Sequence, residues 1–318
     1  MSYILLIIGF GLLIKGADLF VKGASNIATN LRVSPLLIGL TIVAFGTSSP
    51  EATVSIVASF EGSAGVALGN VIGSNIFNIT FVVGLTALLN PLKVESETIR
   101  KEIPFTLLAS VALLVLISDR FLQSFSENLL TRSDGLILLL FFAVFLYYVF
   151  EVARKSRNAG VVELDERENT PWKRNILLTL GGLAAIIFGG DLVVNSATKI
   201  ALAFGMSETL VGLTIVAVGT SLPELITSIT AAIKKESEIA LGNIVGSNIF
   251  NILFVLGSAS TISPLLVESK IFVDILFMIV LTLILLLFSR TNYRVGKYEG
   301  TVLAVGYILY VVYIIVRN

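Results

Sequence analysis

Long apolar stretches alternate with short polar breaks along the whole chain. Ten such stretches can be drawn, at 3–29, 33–60, 64–90, 103–118, 134–152, 175–203, 207–233, 237–262, 271–289 and 298–316. A helix needs about 20 mainly apolar residues to cross the hydrocarbon core of a bilayer, and most of these stretches approach or exceed that length. The pattern therefore predicts an all-α membrane protein with ten transmembrane helices.

One of the polar breaks is longer than the others. Residues 153–174, ARKSRNAGVVELDERENTPWKR, form the only long hydrophilic stretch in the sequence. Because this stretch is too short for a folded domain, we interpret it as a linker between two halves. Five apolar stretches precede it, within residues 1–152, and five follow it, within residues 175–318.

The two halves repeat one another at a fixed spacing. Residues 39–51 spell GLTIVAFGTSSPE, and residues 212–224 spell GLTIVAVGTSLPE. A second motif, ALGNVIGSNIFNI at 67–79, returns as ALGNIVGSNIFNI at 240–252, again 173 residues further on. Since each half holds an odd number of spans, the second half enters the membrane from the opposite side. We therefore predict two inverted five-helix repeats.

The composition agrees with a membrane protein and excludes several functions. The chain is 55% hydrophobic and 14% charged, with a mean hydropathy of +0.94, whereas a soluble domain carries about a quarter of charged residues. A net charge of zero gives no basic surface for nucleic acid. The sequence has no Cys and no His, which removes disulfides, thiolate and imidazole chemistry, and Ser–His catalysis. We expect the lipid bilayer as partner, no bound cofactor and no enzymatic activity.

Lys and Arg residues are distributed unevenly between the two sets of connections. The breaks after odd-numbered spans, which include the linker, hold 15 of them, and the tails and the other breaks hold 4. Cytoplasmic connections of membrane proteins carry the excess of positive charge. The bias predicts a multi-pass protein of the cell membrane with a cytoplasmic linker and both termini outside.

Two carboxylates, Glu51 and Glu224, end the first motif in each half, deep within apolar stretches. A charged side chain at the bilayer centre costs about 2.5–3.5 kcal/mol, so it needs a partner. That partner could be a basic side chain, a proton or a bound cation. Among the lysines within spans, Lys15, Lys22 and Lys199, only Lys15 lies deep in its span. We therefore favour a cation.

A proline precedes each of these carboxylates. Pro50 and Pro223 have no backbone N–H, and the proline ring clashes with the carbonyl four residues earlier. We therefore predict broken helices at the membrane midplane, with carbonyl groups near residues 44–47 and 217–220 freed to face inward. Non-helical backbone at that depth is tolerated only where it is buried or lines a cavity.

The same motif supplies hydroxyl groups. Thr47 lies four residues before Glu51, and Thr220 lies four residues before Glu224, which places hydroxyl and carboxylate on one helix face. Carboxylates, hydroxyls and carbonyls are hard oxygen ligands, which suit Na⁺ and Ca²⁺ rather than soft metals.

The second motif contributes small and polar residues. Its glycines are spaced by four, at 69 and 73 and at 242 and 246, which favours close helix packing. Four side chains offer neutral oxygens to the same cavity, with interhelical hydrogen bonding as the alternative: Ser74, Asn78, Ser247 and Asn251. Packing is the favoured role for Asn75 and Asn248. A structural or pathway-lining role is favoured for a further repeated pair, Asp18 and Asp191.

The strings GTSSPE, GTSLPE and the two copies of GSNIFN closely resemble the paired repeats of the sodium/calcium exchanger family, within the calcium/cation antiporter superfamily. The resemblance covers nearly the whole chain. It implies eight core spans, with spans one and six forming a long, tilted pair that slides across them, and a central set of four cation sites. The ligands it implies are Glu51, Thr47, Ser48, Ser74 and Asn78, their equivalents Glu224, Thr220, Ser221, Ser247 and Asn251, and the carbonyl groups of Ala44 and Ala217.

Two positions refine that resemblance. Potassium-dependent relatives carry Asp at the place of Asn251, so Asn there argues against potassium dependence. Proton-coupled calcium exchangers resemble GN-x-x-E at the second motif, where this chain has Gly73 and Gly246, and this weakens a proton-coupled mechanism.

The expected function is antiport of Na⁺ against Ca²⁺ by alternating access, electrogenic and carried out by a monomer. A proton/Ca²⁺ exchanger and an exchanger of another divalent cation, Mg²⁺ or Mn²⁺, remain the alternatives. An intramembrane enzyme is disfavoured because GTSSP is not the G-x-S-x-G nucleophile elbow. A passive channel is disfavoured because nothing in the sequence resembles a symmetric selectivity filter.

Overall fold

The computed structural model describes residues 2–159, 171–205, 217–291 and 293–317. Most of them form helices: α1 (Ser2–Leu31), α2 (Pro35–Thr47), α3 (Ser49–Phe60), α4 (Ala64–Leu89), α5 (Ile103–Leu116), α6 (Asp119–Leu122), α7 (Arg132–Ala159), α8 (Trp172–Ala203), α9 (Ala217–Gly219), α10 (Leu222–Ile233), α11 (Ser237–Ile262), α12 (Ser269–Arg290) and α13 (Lys297–Arg317). Wider π-helical turns lie at Gly39–Val43, Asn78–Val82, Thr98–Glu102 and Phe250–Leu256.

In the described part of the chain, seven helices are long and apolar enough to cross a membrane, namely α1, α4, α7, α8, α11, α12 and α13. Helices α2 and α3 meet at a bend of 49° and together form an eighth candidate span. Helices α5 and α10 are shorter, with 14 and 12 residues, and are also apolar. The prediction of a helical protein with many membrane spans is confirmed.

The helix ends follow the predicted segments with two differences. The helix that contains α5 begins at Ser96 and includes the π-turn Thr98–Glu102, so it starts before the apolar stretch that the hydropathy pattern begins at 103. Helix α7 runs to Ala159, into the predicted linker, since Lys, Arg and Glu residues extend a helix readily in water. Residues 207–216 of the seventh predicted segment lie outside the described residues.

Helices α1 and α8 form one long antiparallel pair. Gly9 faces Gly189 and Gly16 faces Gly182, and in both contacts an added Cβ would lie 2.9 Å from the carbonyl oxygen of the facing glycine. Only glycine permits backbones to approach this closely. The two contacts exchange under the 173-residue offset, so the crossing of the pair is itself two-fold symmetric.

Helices α4 and α11 form the centre of the remaining helices. They carry the two copies of the second motif, and most of their residues are buried. Many of the buried residues are polar, including Ser74, Asn75 and Asn78 on α4. A buried polar stretch in the middle of a membrane protein indicates a functional cavity rather than an apolar core.

Two very short antiparallel strand pairs join the halves, and the all-helical prediction did not include them. Strand β1 (Leu92–Lys93) pairs with β4 (Arg294–Val295), and β2 (Leu129–Leu130) pairs with β3 (Leu265–Leu266). Each pair joins a loop of the first half to a loop of the second half. Two-residue strands have too little apolar patterning for sequence analysis to detect.

Candidate cation-binding site

Both carboxylates of the first motif lie just after an interrupted helix. Ser48 separates α2 from α3, and Thr220 and Ser221 separate α9 from α10. The backbone angles of Ser48 and Ser221 are nearly equal, φ −81°, ψ 8° and φ −92°, ψ 7°. A proline follows in the first turn of the next helix, where its missing N–H would have had no helical partner. Glu51 and Glu224 therefore occupy first turns, where the helix dipole favours negative charge.

Each carboxylate is held by a hydroxyl of the opposite half. Ser48 Oγ donates to Glu224 Oε1 at 2.8 Å, and Ser221 Oγ donates to Glu51 Oε1, also at 2.8 Å. Ser221 Oγ lies 3.0 Å from Ser74 Oγ, which brings α4 into the same cluster. The two serine–carboxylate bonds are exchanged by the repeat offset. The broken helices therefore interlock around a pseudo-two-fold axis.

The pair of carboxylates is completely buried and electrostatically uncompensated. Glu51 and Glu224 are both 0% exposed, and each accepts a hydrogen bond from the serine that lies three residues before the other carboxylate. Among the ion pairs of the described residues, none involves either carboxylate. Lys15, the lysine that the sequence placed deep in its span, has an exposed side chain and pairs with Asp18 instead. Burial of two like charges without a basic partner favours a positive ligand between them.

Five buried oxygen atoms of the predicted ligand set have no hydrogen-bond partner. They are Glu51 Oε2, Glu224 Oε2, Asn78 Oδ1, Asn251 Oδ1 and Ser247 Oγ. A buried acceptor without a donor loses about 1–3 kcal/mol relative to water. Carboxylate, amide and hydroxyl oxygens together form the ligand set that Na⁺ and Ca²⁺ prefer. Clusters of three or more acidic, His or Cys side chains are absent from the described residues, so the site relies on neutral oxygens for most of its ligands.

Asn70 and Asn243 hold the broken helices in place, and the sequence reasoning missed both. Asn70 Nδ2 donates to Ser55 Oγ at 2.9 Å and to the Glu51 carbonyl at 3.2 Å. Asn243 makes the equivalent bonds to Ser228, at 2.9 Å, and to the Glu224 carbonyl, at 3.4 Å. The signal that could have found them is their recurrence at the repeat offset inside the second motif.

Four other asparagines cross-link α4 and α11. Asn78 Nδ2 donates to Asn248 Oδ1 at 3.3 Å, and Asn251 Nδ2 donates to Asn75 Oδ1 at 3.2 Å. Asn75 and Asn248 therefore take the packing role that the sequence favoured for them. They also turn the amide oxygens of Asn78 and Asn251 away from any donor. Both of these residues lie in π-helical turns, which are frequent at functional sites.

Two local predictions need correction. The Thr47 hydroxyl was placed beside Glu51, but it donates to Asn243 Oδ1 at 2.9 Å and lies near Glu224, because the helix is broken after it. The Ala44 carbonyl was predicted to be freed by the proline, but it accepts the Ser48 N–H at 3.0 Å. A carbonyl oxygen has a second lone pair, but the Thr47 hydroxyl approaches the same oxygen at 3.3 Å, so a cation at Ala44 would share this oxygen with that hydroxyl.

The remaining predicted residues lie as follows. Thr220 Oγ1 donates to Asn70 Oδ1 at 3.4 Å, as the equivalent of the Thr47 bond. Ala217 is the first residue of α9. Gly242 and Gly246 pack closely, since an added Cβ would lie 2.6 Å from the carbonyl oxygens of Leu36 and Leu40.

The other two motif glycines differ from that pair. A Cβ added at Gly69 or Gly73 would have no described atom within 4 Å, so the prediction of close packing holds for α11 and not for α4.

A cavity of about 400 Å³ leads to the site from one side of the molecule. It begins near Gly65 and Arg317, at the ends of α4 and α13, and reaches Asn70, Ser74 and Thr220. Arg317 forms a two-pronged ion pair with Asp274 of α12 at the outer end of this cavity, at 2.8 and 3.0 Å. Ions could reach the hydroxyl groups of the site along this route.

Comparison with known proteins finds cation exchangers over nearly the whole chain. The profile of the family described as sodium/calcium exchanger protein matches residues 1–151 and 174–316. The putative antiporter CaxA of Alkalimonas amylolytica is 41% identical over 316 residues, which cover 96% of each chain. The sodium/calcium exchanger MaX1 of Methanosarcina acetivorans is 34% identical over 348 residues, covering 98% of this chain and 97% of its own. A solved structure of the sodium-calcium exchanger NCX_Mj, soaked with zero Na⁺ and Ca²⁺, matches with a TM-score of 0.83 and 32% identity, covering 98% of both chains.

Proposed function

The chain belongs to the sodium/calcium exchanger family, and on that premise we propose that it exchanges Na⁺ for Ca²⁺ by alternating access at the Glu51–Glu224 site. The observation that carries this proposal is the pair of fully buried carboxylates, each with one hydrogen-bonded and one unpartnered oxygen. The proposed ligands are the twelve residues that the resemblance to the family implies: Glu51, Thr47, Ser48, Ser74, Asn78, Glu224, Thr220, Ser221, Ser247, Asn251 and the carbonyls of Ala44 and Ala217.

Competition between the two ions follows from charge. One Ca²⁺ neutralises two carboxylates, and Na⁺ ions need the same oxygens, so the two cannot occupy the site together. In this structure the Ser48 and Ser221 hydroxyl groups hold the carboxylates by hydrogen bonds. A bound cation replaces these bonds. The empty site keeps two uncompensated charges, which makes its passage across the bilayer unfavourable and enforces exchange.

Alternating access is supported by an uneven packing of the α1–α8 pair. Helix α1 packs along α10, whereas within the described residues α8 has at most marginal contact with α3, the equivalent helix of the other half. The packing of α1 on α10 closes the side of the molecule that carries Lys234. The cavity that reaches Ser74 lies on the other side, which carries Glu61. Inverted repeats can exchange such arrangements and so expose one site to either side.

We assign ten membrane crossings in two inverted five-helix repeats, residues 1–152 and 175–318, joined by the cytoplasmic linker 153–174. Helix α5 with its preceding π-turn, and α9 with α10, supply the two crossings beyond the eight candidates. The excess of Lys and Arg places both termini outside the cell membrane. The Glu61 side is then extracellular. Since one chain supplies both carboxylates, we assign the activity to the monomer.

We further propose that exchange is electrogenic. If three Na⁺ enter for each Ca²⁺ that leaves, a tenfold Na⁺ gradient supplies about 4 kcal/mol, at roughly 1.4 kcal/mol per ion. One net charge moving through 100 mV adds about 2.3 kcal/mol. Together these terms would sustain a Ca²⁺ ratio above a thousandfold, at about 1.4 kcal/mol per decade.

The test is ⁴⁵Ca²⁺ uptake into proteoliposomes loaded with Na⁺ and diluted into Na⁺-free medium. Uptake should follow the Na⁺ gradient, increase when the membrane potential favours Na⁺ exit, and be absent for Glu51→Gln. Separate K⁺ and proton gradients should drive none. Uptake driven by a pH gradient without Na⁺ would instead establish a proton/Ca²⁺ exchanger. If Ca²⁺ competes only weakly with the transport of Mg²⁺ or Mn²⁺, the divalent substrate would be one of these other ions.

A further inference from the structure

Two turns on opposite sides of the molecule have the same backbone structure. Residues 61–63 follow α3, and residues 234–236 follow α10, one repeat offset later. The middle residue has a positive φ in both turns, 72° at Gly62 and 64° at Lys235. The three N–H groups of each turn also bond to carbonyl groups at equivalent positions of the preceding helix. The turns are therefore structural equivalents.

These equivalent turns carry opposite charges at their first position, where Glu61 corresponds to Lys234. The two helices of the long pair, α1 and α8, carry the same charge at equivalent positions, Asp18 and Asp191. The repeat therefore pairs an aspartate with a lysine on one side and an aspartate with a glutamate on the other.

The Lys234 turn is bound to α1 in this structure. Lys234 Nζ lies 2.6 Å from Asp18 Oδ1 and donates to the Asp18 carbonyl at 2.9 Å. Lys15 Nζ adds a second contact to the carboxylate, at 3.2 Å. Ser25 Oγ donates to Glu236 Oε1 at 2.9 Å, about two turns further along α1. Three polar contacts, two from Lys234 and one from Ser25, thus fasten the helix pair to this side, whereas the Lys15–Asp18 contact lies within α1 itself.

The Glu61 turn has no comparable contact with α8 among the residues that the structure describes. Asp191 is exposed, and its carboxylate accepts a hydrogen bond from Asn195 at 2.9 Å. No ion pair of the described residues involves Asp191 or Glu61. Thr198, the equivalent of Ser25, has a buried hydroxyl oxygen without a partner.

The opposite-facing conformation would move these contacts to the other side. Because the crossing of α1 and α8 is two-fold symmetric, the pair can take the position related by the pseudo-two-fold axis on the other helices without changing its own packing. Asp18 would then leave Lys234, and Asp191 would approach Glu61. An attractive pair is exchanged for a repulsive one, whose partners both carry negative charge.

We propose that the Asp18–Lys234 ion pair, opposed by the Asp191–Glu61 repulsion, biases the exchanger toward the conformation seen here, with the Lys234 side closed. The two residues of the turns act as positioning residues and do not touch the transported ions. This inference rests on the alternating access proposed above. It adds that the two orientations of the same site differ in population because the inverted repeats differ in charge.

The bias can be measured directly because the native chain has no cysteine. Spin labels at Phe60→Cys with Leu202→Cys report the Glu61 side, and labels at Thr29→Cys with Ile233→Cys report the equivalent positions on the Lys234 side. Double electron–electron resonance in nanodiscs with saturating Na⁺ gives the populations of both sides. The labelled chains that keep the native Glu61 and Lys234 should show a short distance between the labels mainly on the Lys234 side.

Lys234→Gln should raise the population with a closed Glu61 side about two- to fivefold, which is the range for one partly exposed ion pair. The exchange Glu61→Lys with Lys234→Glu moves the attraction to the other side, so it should shift the population further and in the same direction. Lys235→Gln, the neighbouring lysine of the same turn, is the matched control and should change little.

Equal shifts for Lys235→Gln and Lys234→Gln, or no shift for the charge exchange, would overturn the proposal. The distances are independent of transport. If the distances shift as expected but Na⁺ drives no ⁴⁵Ca²⁺ uptake, the proposed exchange is refuted and the charge bias stands. If uptake is normal but the distances do not change, the charge bias is refuted and the proposed exchange stands.

Discussion

Replacing Glu51 by Gln tests how much of the cation affinity depends on each buried carboxylate. The variant keeps the size of the side chain and removes one of two negative charges at a place that is 0% exposed. A bound Ca²⁺ would then leave one uncompensated positive charge at membrane depth. Such a charge costs about 2.5–3.5 kcal/mol, and at about 1.4 kcal/mol per tenfold the Ca²⁺ affinity should fall about a hundredfold.

The affinity is measured by isothermal titration of the purified protein with Ca²⁺ in Na⁺-free buffer. Glu224→Gln should lose the same amount, because the hydrogen bonds of the two carboxylates have equal lengths and are exchanged by the repeat offset. Glu97→Gln, an exposed residue that pairs with Lys101, is the matched control. A Glu51→Gln protein with an affinity within about threefold of the native value would refute the reasoning.

Ser48→Ala and Ser221→Ala should each lower the stability of the ion-free protein by about 1.5–3 kcal/mol, the value of a hydrogen bond to a charged group. Ser49→Ala should lower it less, since the Ser49 hydroxyl makes only a neutral bond, to the Phe45 carbonyl four residues earlier. Thermal unfolding in ion-free buffer measures this, and a Ser48→Ala effect no larger than that of Ser49→Ala would contradict it. Gly242→Ala should lower the unfolding temperature by the equivalent of about 1–3 kcal/mol, because the added Cβ meets a backbone carbonyl. Gly69→Ala meets no described atom and should leave it unchanged or slightly higher; equal effects would show that the packing around α4 and α11 is alike.

Much of the fold could be predicted from sequence because its causes are local. Apolar length predicts spans, Pro50 and Pro223 predict breaks, and an exact offset of 173 residues predicts repeats. The structure places the breaks at Ser48 and Ser221, within two residues of the prolines.

The contacts between the halves could not be predicted in the same way. The Thr47 hydroxyl reaches Asn243, which lies 196 residues away, because the helix bends after Thr47. A motif shows which side chains share a helix face and does not show which distant helix that face meets. The roles of Asn70 and Asn243 were also not evident from the sequence. Each lies in the second motif and donates to the backbone carbonyl of the glutamate that ends the first motif of the same half.

The charge difference between the turns at Glu61 and Lys234 became interpretable only with the structure. In sequence, Asp18 and Asp191 are a repeated pair without an evident partner. The structure shows Asp18 beside Lys234 and identifies the equivalent place beside Glu61. Differences between repeats therefore become as informative as their similarities once the equivalent positions are known.

The central claim is that Glu51 and Glu224 converge on one cation site. Its most direct test is anomalous diffraction from crystals grown in Ca²⁺ without Na⁺, at a wavelength where Ca²⁺ scatters anomalously. A single strong peak should lie between the two carboxylates, about 2.3–2.6 Å from oxygens of both residues. A Ca²⁺ peak elsewhere, or carboxylates that point away from each other toward lipid, would contradict the account.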